Sequence, residues 1–267
     1  MSLSEIFSDS LKYPLSDVKT FLIIGVLCIL ANIGGIINSY GYAFGFGGII
    51  SLIVNIVIIG YMITVVAKSI NKDDALPELD FGKNIILGIK SYIVSFVYLI
   101  IPAIIVIILA FIAIGPLASS IMSNNMAQVA ITSGNATMFI QQIPAETLST
   151  SLASMGIVVI IAIILAIIFG IFAIIGLCRL AKSESIGDAL SFGKVWEDIR
   201  NIGILKIIGY LILLWILLFL ISIVIGIISI IPFVGAIIAA LILYPYMTFL
   251  IYRSLGLLYS DALNQKV

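Results

Sequence analysis

The feature that most constrains this chain is how its charges are distributed between long apolar runs. Such runs occupy residues 21–37, 44–66, 92–115, 155–177, 207–231 and 233–252. Each approaches the roughly 20 apolar residues that a helix needs to cross a bilayer. The first is short and the fifth long. Counting Lys and Arg by connecting segment gives two before the first run, none between the first and second, and four between the second and third. None follows the third, five follow the fourth, none follows the fifth, and two lie in the tail, which accounts for all thirteen. Positive charge therefore falls on alternate sides only, as the positive-inside rule requires. The expectation is a multi-pass protein of the cell (plasma) membrane with both termini cytoplasmic. Glu146 is the only one of the thirteen acids placed outside.

Composition agrees. The chain is 63% hydrophobic and 10% charged, against about 45–50% and about 25% in soluble domains. Basic and acidic residues cancel, so no global field points to nucleic acid. Histidine is absent, and Cys28 and Cys178 lie singly within apolar runs. That pattern suits neither a disulfide framework nor a zinc site, and no metal or cofactor is expected. Residues 1–10 carry Glu5 and Asp9 but no basic residue, and do not read as a secretory signal.

No ionisable residue stands at mid-membrane depth, where such groups usually mark proton relays or ion paths. The uncharged polar residues Asn32, Asn55, Thr64, Ser95, Ser222 and Ser229 are read first as hydrogen-bonding groups between helices. Pro102 and Pro245 remove backbone donors and should kink their spans. Asn32, Asn55, Ser95, Pro102 and Pro245 together are the candidate lining of a cavity. Ala162, Ala166 and Gly170, and Ala236 with Ala240, form small-residue ridges that permit close helix approach, within the chain or between copies.

Short elements recur at equivalent places. Tyr61-Met62 and Lys68-Ser69 match Tyr246-Met247 and Arg253-Ser254, while Ala67-Lys68-Ser69 matches Ala181-Lys182-Ser183. Asp74-Ala75-Leu76 and Phe81-Gly82-Lys83 match Asp188-Ala189-Leu190 and Phe192-Gly193-Lys194. The implied repeats, approximately 1–69, 77–183 and 184–254, share one orientation. Each begins with an amphipathic segment suited to the headgroup plane. The apolar stripes are Leu3, Ile6, Phe7 and Leu11; Phe81, Ile85, Ile86 and Ile89; and Ala189, Phe192, Trp196, Ile199 and Gly203. Opposite them stand Glu5, Asp9 and Lys12; Lys83, Asn84 and Lys90; and Lys194, Glu197, Asp198 and Arg200.

Few motifs carry chemistry. Gly82 to Ser91 superficially resembles a phosphate loop, but has five residues between its glycines and no preceding strand. Asp73, Asp74, Pro77, Glu78 and Asp80 form a candidate cytoplasmic interaction loop. Their spacing is not that of a calcium loop, and Pro77 followed by two acids reads as a helix start. The external loop, 116–154, holds one glycosylation sequon at Asn135.

Lys12-Tyr13-Pro14-Leu15-Ser16-Asp17, Gly60-Tyr61 and Leu76-Pro77-Glu78-Leu79-Asp80 resemble a family of integral membrane proteins, common in archaea, labelled only as a domain of unknown function. The resemblance is strongest over residues 13–102. The family usually has an aromatic after Leu-Pro-Glu, where this chain has Leu79. The resemblance implies fold and topology, and no activity.

The reading is one all-α integral membrane domain over residues 1–267. Six transmembrane helices form three in–out–in hairpins, each preceded by a cytoplasmic amphipathic interfacial helix. The expected function is non-enzymatic organisation of lipid or partner proteins, including a homo-oligomer. The alternative is a permease or channel for a neutral or apolar solute.

Overall fold

The computed structural model describes residues 1–39, 46–123, 143–231 and 234–264, which are helical apart from short connections. The helices are α1 (Leu3–Lys12), α2 (Val18–Ser39), α3 (Phe46–Ile70), α4 (Phe81–Ser123), α5 (Ala145–Ser183), α6 (Ile186–Ala189), α7 (Phe192–Ile202), α8 (Ile204–Ile228), α9 (Val234–Ile238) and α10 (Tyr244–Asn264). Five helices are long and apolar enough to cross a membrane, and six if α1 and α2, bent by 84° at their junction, count as one broken span. Asn135 lies outside the described residues.

Two compact units are present: residues 1–96 with 172–267, and residues 97–171. The second comprises the distal parts of α4 and α5. The expected external loop is shorter than the sequence suggested, because helix continues to Ser123 and resumes at Ala145. Pro102 and Pro116 both lie inside α4. Around Pro102 the neighbours are apolar and offer the backbone no partner other than the helix itself, whereas the Pro116 carbonyl accepts from the Ser119 hydroxyl at 2.9 Å.

The first unit is built around Phe249 of α10. Its ring lies 6.0 Å from Phe21 and 6.1 Å from Tyr61, edge-on to the latter. Ile24, Cys28, Ile58, Met62 and Val65 complete this core. Glycines set the closest approaches. A Cβ on Gly60 of α3 would fall 1.7 Å from the Asn84 carbonyl oxygen, and one on Gly88 of α4 would fall 2.0 Å from the Ile56 carbonyl oxygen. Only bare backbones can cross at that distance.

Pro245 has a local counterpart. Residues Ala239–Leu243 form a π-helical turn in which the Tyr244 N–H donates to the Ala239 carbonyl. A proline at 245 removes the donor that the Leu241 carbonyl would otherwise receive. That carbonyl faces α2, where a Cβ on Gly25 would stand only 2.2 Å from it. The final helix then runs to Asn264, well past residue 252. What reads as a cytoplasmic tail is therefore packed helix, with Leu257, Leu258, Tyr259 and Ala262 buried.

The amphipathic segments behave unequally. α1 is a separate helix with a Ser2–Glu5 capping box, and it buries Ile6, Phe7 and Ser10. α7 is also separate and buries Val195, Asp198, Ile199 and Ile202. It ends at Gly203, whose φ of 93° lets the chain turn into α8. The second segment is not a separate helix. Residues 81–90 are the first turns of α4 itself, and Phe81, Ile85, Ile86 and Ile89 point outward while Asn84 and Leu87 are buried. Asn84, opposite the stripe, is buried because Gly60 and Gly88 bring α3 against that side. Pro77 likewise does not begin the helix; Asp80 caps it, accepting from the Lys83 N–H at 3.1 Å.

Candidate functional site

Polar side chains converge where the helices of the first unit end in charged segments, and α10 is the hub. Arg253, 1% exposed, carries the largest network. Its Nε donates to Asp9 Oδ1 at 2.7 Å and its Nη2 to Asp9 Oδ2 at 3.3 Å. Nη2 also donates to Asp74 Oδ1, and Nη1 to the Asp73 carbonyl, both at 2.5 Å. The guanidinium lies 4.4 Å from the centre of the Tyr13 ring. One planar fork thus joins α1, the α3–α4 connection and α10, a task for which lysine has the wrong shape.

Four further ties are made along α10. Tyr259 donates to Asp198 Oδ2 at 2.7 Å, and the same oxygen accepts from Arg179 Nη1 of α5. Asp261 Oδ2 accepts from Lys206 of α8 at 2.6 Å. Ser254 and Tyr210 share a hydrogen bond of 2.9 Å, and Tyr246 donates to the Leu11 carbonyl at 2.8 Å. Asp198, expected on an outward face, is instead buried, because Arg179 and Tyr259 together satisfy it.

The acids of the α3–α4 connection divide. Asp73 pairs with Lys68 at 2.9 Å and accepts the Ala75 N–H at 3.0 Å. That N–H, and then Lys68, hold its carboxyl below the usual carboxylate range. Asp74 reaches Arg253 although its side chain is 83% exposed. Pro77 is buried, and its carbonyl accepts from the Tyr61 hydroxyl at 2.9 Å. Glu78 and Asp80 are exposed. Among the described residues no cluster of Cys, Asp and Glu could hold a metal ion.

Among the described residues, three clefts at this end stand out. The largest, about 690 Å³, runs along α1 and is lined by Glu5, Ser8, Asp9, Lys12 and Asp74. A second, about 420 Å³, lies beside Trp196 and Arg200. A third, about 210 Å³, sits between the end of α3, the start of α4 and Glu184. Asn32, Asn55, Ser95, Pro102 and Pro245 line none of the three. Asn32 and Asn55 each donate the side-chain amide at 2.8 Å to a carbonyl one turn earlier, Cys28 and Ser51 respectively. Ser95 is half-buried and Pro102 and Pro245 are buried.

Sequence reasoning singled out Asp73 to Asp80 and passed over the groups that hold them. In the sequence Arg253 stands only as the repeat counterpart of Lys68, Asp9 and Asp198 only as members of polar helix faces, and Tyr259 carries no signal. The available signal was the continuation of helical periodicity through Leu250, Ser254, Leu257, Leu258 and Asp261.

No curated protein and no solved structure matches the chain. A family match extends over residues 43–234, from α3 through α8 to the start of α9, and so includes the Gly60–Asn84 crossing and the Asp73 to Asp80 connection. On that match the chain belongs to the family described as a protein of unknown function, DUF4013.

Proposed function

We propose that this protein is a non-enzymatic, six-span protein of the cell membrane, with cytoplasmic termini, that organises lipid or partner proteins. Its three hairpins are repeats of one unit, with α1 and α7 lying along the cytoplasmic surface. The alternation of Lys and Arg supports the orientation, and the 84° bend between α1 and α2 suits a helix that lies in the interface before the chain enters the bilayer.

The observation that carries the functional reading is the surface of α8. Beyond Lys206 in its first turn this helix is predominantly apolar on every side, yet Ile207, Tyr210 and Leu214 are its buried residues, a single narrow stripe. Leu205, Trp215, Phe219 and Ile230 beyond its end stand largely exposed. The polar ends of the helices, by contrast, are spent on internal ties. A chain that fixes its charged end and leaves apolar helix faces open is suited to lateral association. Solute conduction finds less support, because Asn32 and Asn55 spend their amide donors on their own helices.

A photo-crosslinking residue at Trp215, activated in native membranes, tests the reading. A discrete adduct with one lipid class or one protein, including a second copy, is expected. A featureless smear equal to that from an unrelated multi-pass protein would overturn it.

A further inference from the structure

Most basic side chains of this protein are engaged within the chain. Lys68, Lys83, Lys194, Lys206, Arg179 and Arg253 pair with carboxylates, and Lys90 donates to the Glu184 carbonyl. Lys12, Lys19, Lys72, Lys182 and Arg200 differ. None of them makes an ion pair or a side-chain hydrogen bond among the described residues. Lys12, Lys19 and Arg200 stand at two elbows, where a short amphipathic helix turns into a long apolar one. The first is the 84° bend from α1 into α2. At the second, Gly203 with its φ of 93° turns α7 into α8.

Each elbow sets its unpaired cations beside exposed apolar side chains. Around Lys12 and Lys19 these are Leu11, Leu15 and Val18, the last two 62% and 58% exposed. The acid of this elbow, Asp17, faces its own chain: Oδ1 accepts from the Lys19 N–H at 3.0 Å and Oδ2 from the Thr20 hydroxyl at 2.6 Å. Arg200 has Trp196 one turn before it and exposed Ile204 and Leu205 just after. The Trp196 ring is held in place, stacked on Phe172 at 6.1 Å. Arg200, Trp196 and Asn201 line the 420 Å³ cleft, and Glu197 in that cleft is not without a partner. The elbows share one end of the unit, because α1 lies against the first turns of α8. Phe7 stacks on Tyr210 at 5.5 Å, and Lys206 donates to the Met1 carbonyl at 2.7 Å.

That combination selects one environment. A soluble acidic partner would satisfy the cations, but the apolar side chains beside them run on into α2 and α8, whose outer faces are apolar. The layer where phosphates meet acyl chains satisfies both at once, with aromatic rings and long cationic side chains at its level. A zwitterionic headgroup brings its own ammonium, for which neither elbow has an unengaged carboxylate. An anionic headgroup brings acceptors alone, and the planar fork of Arg200 suits a phosphate.

We infer that the two elbows seat the headgroups of anionic phospholipids in the cytoplasmic leaflet. The inference rests on the lipid half of the function proposed above. The full chain is reconstituted in vesicles of phosphatidylcholine and phosphatidylglycerol in equal proportion, with one or the other brominated high in its acyl chains. Bromine quenches a tryptophan that it touches, so the two preparations report the lipid composition around that side chain. Trp196 and Trp215 are the only tryptophans. Trp215→Phe leaves Trp196 to report on α7, and Leu15→Trp with both native tryptophans replaced reports on the α1–α2 elbow. The anionic lipid should be enriched about fivefold at each reporter, roughly the worth of one cation at such a surface. Arg200→Gln should return the Trp196 environment to the bulk ratio, and Lys12→Gln with Lys19→Gln should do so at position 15. All three cations are exposed, so these changes leave the fold in place. Salt at about 1 M, which shortens screening to about 3 Å, should also reduce both preferences. Lys72→Gln, at an unpaired lysine outside the elbows, should change neither.

A bulk ratio at either reporter in the parent overturns the seat at that elbow. A Lys72→Gln variant as damaging as Arg200→Gln overturns both, since net charge alone would then set the preference. Either result leaves lipid organisation to be judged by the Trp215 crosslink. Absence of quenching by both lipids at Trp196 overturns the seat there together with the placement of α7 on the membrane surface.

Discussion

Replacing Arg253 by alanine is the perturbation to which the first unit should be most sensitive. The side chain is 1% exposed and makes four N–H hydrogen bonds and one ring contact. Removing one member of a buried ion pair costs about 3–5 kcal/mol, much of it from the partner left behind. Here the partners are not equally stranded. Asp9 is 34% exposed and Asp74 83% exposed, so water can re-solvate both in part. The Asp73 carbonyl and the Tyr13 face also lose their contacts. The cost should therefore lie at the low end, about 3 kcal/mol. Arg253→Lys keeps the charge but not the fork, and should cost about half as much. Asp9→Asn should follow, and Asp74→Asn should cost least, since an exposed pair contributes little. Equilibrium unfolding of the micelle-bound protein by SDS, followed by tryptophan fluorescence, gives the order directly. An Arg253→Ala variant within about 0.5 kcal/mol of the parent, or an Asp74→Asn variant as damaging as Arg253→Ala, would refute the reasoning.

Other expected outcomes follow from the same contacts. Gly60→Ala should disrupt the α3–α4 crossing, because its methyl would meet the Asn84 carbonyl, whereas Gly170→Ala meets nothing within 4 Å and should gain about 0.5–1 kcal/mol of helix propensity; thermal unfolding of the two variants compares them. Tyr259→Phe removes one hydrogen bond to Asp198, about 1 kcal/mol, while Asp198→Ala leaves both Arg179 and Tyr259 without it and should cost about 3 kcal/mol. The Asp73 carboxyl is held below its ordinary value by the Ala75 N–H and Lys68. Its contribution is thus present above the usual carboxylate range and lost as pH falls through the lowered value. Asp73→Asn should flatten the acid limb of a stability–pH curve measured between pH 7 and pH 2.

The helices and their approximate places were legible in the sequence because hydrophobic run length is set by the bilayer, not by long-range contacts. Their internal faces were not. Phe81, Ile85, Ile86 and Ile89 form a sound apolar stripe, but in lipid an apolar stripe is as content outside as inside. Burial on α4 follows Gly60, Gly88 and Asn84 instead, where backbones can touch. The charged connection from Asp73 to Asp80 stood out for the opposite reason, since polarity is conspicuous in such a chain. Its partner did not, because Arg253 sits 179 residues from Asp74 and looks in sequence like a tail residue. Pro77 misled as a helix start: Tyr61 takes its carbonyl, and Asp80 supplies the cap three residues later.

The arrangement in the membrane is tested most directly by cysteine accessibility. With Cys28 and Cys178 replaced, single cysteines at Asn71, Ser149 and Ser183 are labelled in intact cells with a membrane-impermeant maleimide. The account predicts labelling at position 149 alone, with 71 and 183 reacting only after the membrane is opened. Labelling of 71 or 183 in intact cells, or reaction of all three from one side, would contradict it.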